Sequence, residues 1–336
     1  ALRQFLRNQA RAQIPVTLDE INCLEVLFLR DTVFLVGNGL TIDYLDNKNF
    51  NFDSSNPFSL KVPCKEPNLE SIIEELPNLK KYIERSRNLG IKNDFNICEK
   101  LKDELNNSPF DKNLQWIHGE MRQYFSLAYS LMQIIYDYNL NDWNYIKHLK
   151  KVKSDILGLI SFNYDLLLER ILMVNGINFY RYGVANESGY IPVFKPHGSI
   201  DFEAGPGTIS IEPPINRFKN QTFLNEIHPM ISLAPRNYLV SRVTSDIVLP
   251  SEPSPQTKLS WVKRTYDWIK LVSSDIKHFV IIGISYWECD RPEINNLLKS
   301  LPLNCKVHII NPNPPKEMIN KLKKLGLEYS CNEYFS

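Results

Sequence analysis

Short apolar runs, each stopped abruptly by glycine, asparagine or another small polar residue, recur along the chain. Val33-Phe34-Leu35-Val36 ends in Gly37-Asn38-Gly39, and Ile156-Leu157-Gly158-Leu159-Ile160 leads into Ser161-Phe162-Asn163-Tyr164-Asp165. Ile191 to Phe194 leads into Lys195-Pro196-His197-Gly198-Ser199-Ile200-Asp201. Phe279 to Ile282 ends at Gly283-Ile284-Ser285, and Val307 to Ile310 at Asn311-Pro312-Asn313. Each run is too short for a free-standing helix and lacks polar alternation, so it reads as a strand buried on both faces of a parallel sheet. Helical spacing lies between the runs: Leu167, Ile171 and Val174, then Leu259, Val262, Tyr266 and Ile269 in a helix of about five turns, then a last helix closed by Gly326. Strands alternating with helices predict an α/β fold, a Rossmann-like parallel sheet with helices on both faces.

Two stretches have a different texture. Residues 63–150 are rich in Leu, Lys, Glu and Asn, and Leu114, Ile117, Met121, Tyr124, Ala128, Leu131 and Ile135 form one helical stripe. A stripe of this kind usually packs against a core, and the segment reads as a helical insertion that interrupts the sheet. Near the start, Thr17, Asp19 and Glu20 resemble a helix start, with Ile21, Leu24 and Phe28 on one apolar face. The expected organisation is an N-terminal helical segment at 1–30, a Rossmann unit assembled from 31–62 and 151–336, and a helical insertion at 63–150. Residues 202–256, rich in Pro, Gly, Ser and Asn, read as loops with short strands.

Composition narrows the function classes. Among 336 residues, 39 Lys plus Arg against 38 Asp plus Glu leave a formal charge of +1, which removes the electrostatic case for a general nucleic-acid or anionic-membrane binder. No apolar run approaches the roughly 18 residues needed to cross a bilayer, and the first 30 residues carry no leader pattern. The chain begins at Ala1, which reads as a processed or trimmed start. Six cysteines (Cys23, Cys64, Cys98, Cys289, Cys305 and Cys331) are scattered without a CxxC pair, against both a disulfide-framed miniprotein and a four-cysteine zinc ribbon. The expectation is a cytoplasmic protein with no metal, no membrane association and no direct nucleic-acid partner.

The chemistry concentrates where the apolar runs stop. Ligands of open parallel sheets bind outside the carboxyl ends of the strands, so five loops could converge on one crevice. Glycines there let backbone N–H groups approach a phosphate, and the following helix start adds partial positive charge. This suits a dinucleotide better than a protein surface. A hydride-transfer fingerprint would need a third small residue where bulky Ile42 stands, and no GxxxxGK[ST] loop occurs.

Of six histidines, His197 stands apart, between Pro196 and Gly198 directly after an apolar run. An imidazole titrates close to neutral pH and needs little perturbation to act as a general base. His118, His148, His228, His278 and His308 lack such surroundings and read as surface or packing residues. The Asn163 amide can orient water or a ribose hydroxyl, or cap the helix that follows. Asp165 has an ordinary alternative as a first-turn acid, and Cys289 reads as an inert thiol.

Five of these segments, in order, resemble sirtuin motifs. Gly37-Asn38-Gly39-Leu40-Thr41 resembles the GAG[IV]S turn, and Ser161-Phe162-Asn163-Tyr164-Asp165 is similar to TQN[IV]D, more closely to the TxNYD form of sirtuin-like NAD hydrolases. Lys195-Pro196-His197-Gly198-Ser199-Ile200-Asp201 resembles [LK]HGSID, which contains the family's catalytic histidine. Gly283-Ile284-Ser285 falls where the family has a GxS turn, and Ile309-Ile310-Asn311-Pro312 resembles its final strand end at the adenosine ribose. The resemblance spans residues 31–45 and 156–313.

Departures choose between branches of the family. Deacylating sirtuins carry two CxxC pairs, and this chain has none. Phe162 replaces the glutamine of TQN, and no arginine-bearing cofactor loop follows Thr41. The 63–150 block stands in place of the zinc module, as in prokaryotic sirtuin-like domains that destroy NAD during phage defence. The resemblance thus implies an NAD glycohydrolase with NAD as substrate, acting in anti-phage abortive infection. It implies Asn163 and His197 as catalytic residues, and Gly37, Asn38, Gly39, Thr41, Asp165, Gly198, Gly283, Ser285 and Asn311 as the NAD-binding set. The alternatives are an NAD-dependent deacylase or ADP-ribosyltransferase in the same cleft, or a non-catalytic module that senses NAD or ADP-ribose to drive assembly. An enzyme that depletes NAD must be held off in a healthy cell, so a homo-oligomer and a regulatory or sensor protein partner are expected.

Overall fold

The computed structural model describes residues 30–48, 57–59, 69–135, 140, 143–184, 187–204, 230–239, 245–249 and 260–334. Residues 1–29 of the expected N-terminal helical segment, together with Cys64 and His228, lie outside the described residues, and Cys23 is among those 29.

Each apolar run forms a strand: β1 (Thr32–Val36), β2 (Ile156–Ser161), β4 (Ile191–Phe194), β8 (His278–Ile282) and β9 (Lys306–Ile310). They join β3 (Phe179–Arg181) and β10 (Glu328–Asn332) in one seven-stranded sheet ordered β10-β9-β8-β1-β2-β4-β3. Every pairing in it is parallel. This is the Rossmann-like α/β sheet that the strand pattern predicts. The 202–256 stretch contributes strands to a small antiparallel sheet of β5 (Gly198–Ala204), β6 (Met230–Ser232) and β7 (Ser245–Ile247), ordered β6-β5-β7.

Alternation along the central strands explains the unbroken apolar runs. Phe34 and Val36 of β1, with Val280 and Ile282 of β8, belong to one apolar cluster. Val33, Leu35, Phe279 and Ile281 belong to another on the opposite face. A strand covered on both sides has no solvent face, so its sequence shows no polar alternation.

Helices cover both faces. The first cluster takes in α1 (Gly39–Asn47), α3 (Pro77–Asn88), α4 (Asp94–Asn107), α5 (Lys112–Ile135), α6 (Asn144–Val152) and α7 (Leu167–Val174). Ile117, Met121, Tyr124, Ala128 and Leu131 on α5 are buried in it, so the stripe packs, as its spacing predicts. The short α2 (Leu69–Glu74) precedes α3. The second cluster takes in α8 (Ser260–Val272), α9 (Arg291–Lys299) and α10 (Lys316–Leu325). Val262, Tyr266 and Ile269 of the expected helix lie on α8, and Leu259 lies outside the described residues. No described helix is long and apolar enough to cross a membrane.

The strand order sets where a ligand can sit. From β1 the chain proceeds to β2 on one side, and from β8 to β9 on the other, although β1 and β8 are neighbours. Connections that leave adjacent strands in opposite directions open a crevice at their carboxyl ends. The turns at Gly37–Gly39 and Gly283–Ser285 stand at that point.

Candidate functional site

The crevice is a cavity of about 720 Å³, within the range of small-molecule sites. All five post-strand loops reach it: Gly37, Asn38 and Gly39 after β1, Phe162, Asn163 and Asp165 after β2, His197 after β4, Gly283 and Ser285 after β8, and Asn311 after β9. Phe95 of α4, Tyr129 of α5 and Tyr145 of α6 close it from the helical side. That aromatic wall was not legible in the sequence. Tyr129 lies off the packing stripe that drew attention to α5.

The β1 turn is clamped to β8. Gly37 N–H donates to Ile282 O at 2.9 Å and Gly39 N–H to Gly283 O at 2.9 Å. These two amides are therefore committed to the fold rather than open to a phosphate. Asn38 N–H remains as the turn's open donor, beside the N-terminus of α1 with its partial positive charge.

Asn163 is buried behind this turn. Its Nδ2 donates to Gly37 O at 3.1 Å and to Thr41 Oγ1 at 3.2 Å, which turns the amide oxygen towards the cavity as an acceptor. Thr41 in turn donates to Asp165 Oδ2 at 2.7 Å, and Asp165 Oδ1 accepts from Leu167 N–H at 3.0 Å at the start of α7. Asp165 thus does the capping work open to a first-turn acid while still lining the cavity. Thr41 is not on the wall, and its hydroxyl is used between Asn163 and Asp165.

His197 sits in the turn between β4 and β5. Gly198 N–H donates to Lys195 O at 2.9 Å, and Gly198 takes φ +80° to close the turn. That is the work Gly198 does, since it too is off the cavity wall. Beneath the turn, buried Lys195 donates to Asp165 O and pairs with Glu169 Oε1 at 3.0 Å, tying the His197 loop to the Asn163 loop. Further along β5, Asp201 pairs with Arg181, which also pairs with Glu187. Burial disfavours the charged form of Asp201, but Arg181, Ser199, Lys195 and Ser232 together outweigh it and hold the carboxyl below its usual range.

The imidazole of His197 stacks on Phe162 with ring centroids 4.4 Å apart. Its Nε2 lies 3.1 Å from Glu293 Oε2, and the side chains of both are largely buried. Burial opposes the charge on His197, yet the Glu293 carboxylate, aided by Asp290 and a hydrogen bond to the Phe162 backbone, raises its pKa to about 9. The surroundings of His197 therefore favour the imidazolium over the near-neutral base its sequence setting implies. Asp290 is pushed above its usual range by burial, with His197 opposing and Glu293 adding to the shift. Cys289 is pushed to about 12, first by burial and then by Asp290, so it is a protonated thiol.

Glu293 is the functional candidate that sequence reasoning missed. It sits in the first turn of α9 after Pro292, where an acidic residue reads as an ordinary helix start. Ser285 lies exposed on the rim. Asn311 bridges turns, with Nδ2 donating to Ile284 O at 3.0 Å and Oδ1 accepting from Asn313 N–H at 2.9 Å.

Apart from His197, the charged residues of the lining are acidic. Asp43, Asp46, Asp165, Asp290, Glu293, Glu317 and Glu333 line the cavity, with no Lys or Arg among its described lining residues. No group of three or more metal-ligating side chains occurs among the described residues.

Fold and site together define a Rossmann-like α/β protein with a ligand cavity at its topological switch. No protein-family model matches the chain, and no curated protein matches it. Among solved structures it is similar to Sir2 proteins. One, from work on the structural basis for the mechanism and regulation of Sir2 enzymes, is 13% identical over 90% of this chain and 95% of that chain, with a TM-score of 0.34. A Sir2–p53 peptide–NAD+ complex is 13% identical over 91% and 90%, with a TM-score of 0.34. Sir2 with the inhibitor EX-527, 2'-O-acetyl-ADP-ribose and a deacetylated p53 peptide is 14% identical over 91% and 90%, with a TM-score of 0.33. The fold assignment rests on the strand order and direction given above.

Proposed function

We propose that the protein is an NAD glycohydrolase, cleaving the nicotinamide–ribose bond to give nicotinamide and ADP-ribose. The observation that carries this reading is the convergence of all five post-strand loops on one cavity at the switch point, with Asn163 and His197 on its wall. Heterolysis leaves positive charge on the ribose and releases nicotinamide as a neutral base, so the leaving group needs no proton. The Asn163 amide oxygen, fixed by its two donor bonds, orients the attacking water or a ribose hydroxyl. Water adds to the anomeric carbon, and its proton passes to His197 once that ring is neutral. The Asn38 amide and the α1 N-terminus receive the pyrophosphate, while Ser285 and Asn311 lie on the adenosine side.

The acidic lining favours this assignment over a simple anion site, because the bound nicotinamide is cationic until the bond breaks. In the same reading the 63–150 helices are an insertion into one Rossmann unit, and the enzyme is cytoplasmic and oligomeric. It depletes NAD in anti-phage defence when a partner or signal releases it.

Incubation with NAD alone, followed by chromatography of nicotinamide and ADP-ribose, tests the proposal. Both products form without an acceptor protein, and His197→Ala lowers turnover by about 10²–10⁴-fold while still folding. Cleavage that requires an acylated peptide or a protein acceptor would assign the cavity to a deacylase or transferase. Tight NAD binding without turnover in any assembly state would assign it to a sensing module.

A further inference from the structure

We infer that Glu293 is a positioning residue for His197: it holds the imidazole by Nε2 against Phe162 and governs the proton that this ring must release before it can accept one from water. The inference deepens the NAD-cleavage reading and rests on it for its kinetic arm.

The geometry makes the pair specific. Glu293 Oε2 lies 3.1 Å from Nε2, and Phe162 supports the ring face at 4.4 Å. With Nε2–H donating to Glu293 and Phe162 stacked on its face, the ring is held in place, and while it is cationic it has no lone pair with which to accept a proton. Catalysis therefore needs the Glu293 contact to loosen or the ring to give up its proton.

The groups bearing on the ring come from two sides. Glu293 approaches from α9 and Asp290 from the turn before it, both acidic. Phe162 on the β2 side is uncharged. Lys195, in the same turn as His197, is directed away into its bonds with Asp165 O and Glu169. Cys289 lines the cavity beside Asp290 as a neutral thiol. No described Lys or Arg pairs with Glu293, so His197 is its ion-pair partner among the described residues.

The test compares wild type, Glu293→Gln, Glu293→Asp and Asp290→Asn. The His197 ring is titrated by heteronuclear NMR, assigned through His197→Gln, and kcat/KM for NAD is measured against pH. In wild type both midpoints fall near 9. Glu293→Gln keeps the side-chain volume and lowers both by about one pH unit or more, towards the ordinary imidazole value of about 6.5. Its kcat/KM profile then crosses that of wild type instead of lying uniformly below it. Glu293→Asp restores part of the shift, and Asp290→Asn moves the midpoints less than Glu293→Gln does.

An ordinary His197 midpoint in wild type overturns the inference, as do unmoved midpoints in Glu293→Gln. The wild-type titration decides the matter even if that variant fails to fold. If no preparation cleaves NAD, the functional reading fails alone, because the NMR titration still reports whether Glu293 controls the ring's proton.

Discussion

Gly39 and Gly283 meet backbone to backbone at the carboxyl ends of β1 and β8. A Cβ built on Gly39 would lie 2.5 Å from Gly283 Cα, and one built on Gly283 would lie 2.5 Å from Gly39 Cα. Gly283 also takes φ +58°, in the left-handed region. The two turns that floor the cavity are thus interlocked with no room for a side chain on either.

This contact predicts that Gly39→Ala destabilises the fold by about 1–3 kcal/mol or more, through overpacking against immovable backbone. Gly176→Ala is the control. Gly176 has φ +63°, but a Cβ added there would meet nothing within 4 Å, so only the left-handed penalty of about 1–2 kcal/mol applies. Urea unfolding of both variants should show a larger loss for Gly39→Ala, together with weakened NAD binding that Gly176→Ala does not show.

Thr41 connects Asn163 to Asp165 without touching the cavity. Thr41→Val keeps the shape but leaves a buried amide donor and a carboxylate oxygen unpaired, at about 1–3 kcal/mol. With the Asn163 amide held by Gly37 O alone, kcat for NAD cleavage is expected to fall about 10²-fold with little change in KM, the effect of misplacing a group by about 1 Å. Steady-state kinetics beside a melting curve separate this from general unfolding; an unchanged kcat would detach Thr41 from the site.

Lys195 and Glu169 form a buried pair beneath the His197 turn. Lys195→Met leaves the Glu169 carboxylate buried and uncompensated, at about 3–5 kcal/mol. Adding Glu169→Leu removes that orphan charge, so the double variant should recover much of the loss. Chemical unfolding of the four members of the cycle reads the coupling directly, and additive losses would show that the two side chains act independently.

The His197–Glu293 pair also links stability to pH. The folded-state pKa of His197 is raised to about 9 against an ordinary value of about 6.5. A raised folded pKa contributes stability that is fully present below about 6.5 and lost as pH rises through about 9. Wild type should therefore exceed Glu293→Gln in unfolding free energy at pH 6, by an amount on the order of a few kcal/mol that shrinks towards pH 10. A difference that stays constant over that range would mean the pair is not ionised as its geometry implies.

How much of this was legible in the sequence follows from what each residue touches. β1, β2, β4, β8 and β9 were readable because both faces are covered and their runs are unbroken. β10 escaped because it is an edge strand, partly or fully exposed along its length, whose Glu328-Tyr329-Ser330-Cys331-Asn332 has no apolar run. The polar residues of the loops could be named because they follow the runs directly. Glu293, Tyr129 and Tyr145 enter the cavity from helices, where helix periodicity hides any second duty. The commitment of the Gly37 and Gly39 amides to β8 was invisible too, since it depends on which strand lies beside β1.

The predominance of carboxylates in the lining leads to a prediction about salt. A site that held NAD by Lys or Arg would bind more weakly as ionic strength rises, because screening weakens the attraction to the pyrophosphate. The described lining has carboxylates and no Lys or Arg, so the long-range force on the pyrophosphate is repulsive and short-range hydrogen bonds supply the binding. Raising ionic strength from about 0.1 M to about 1 M shortens the screening length from about 10 Å to about 3 Å and removes most of that repulsion. KM for NAD should then stay level or fall, by about two-fold. The carboxylates nearest the scissile bond are expected to act the other way, on the cationic nicotinamide, and contact with the ring leaves little room for salt to intervene. Replacing Asp43, the lining carboxylate of α1 nearer its N-terminus, should therefore lower KM at low salt and weaken its salt dependence. A KM that climbs steeply with salt in wild type would place an unrecognised cation against the pyrophosphate.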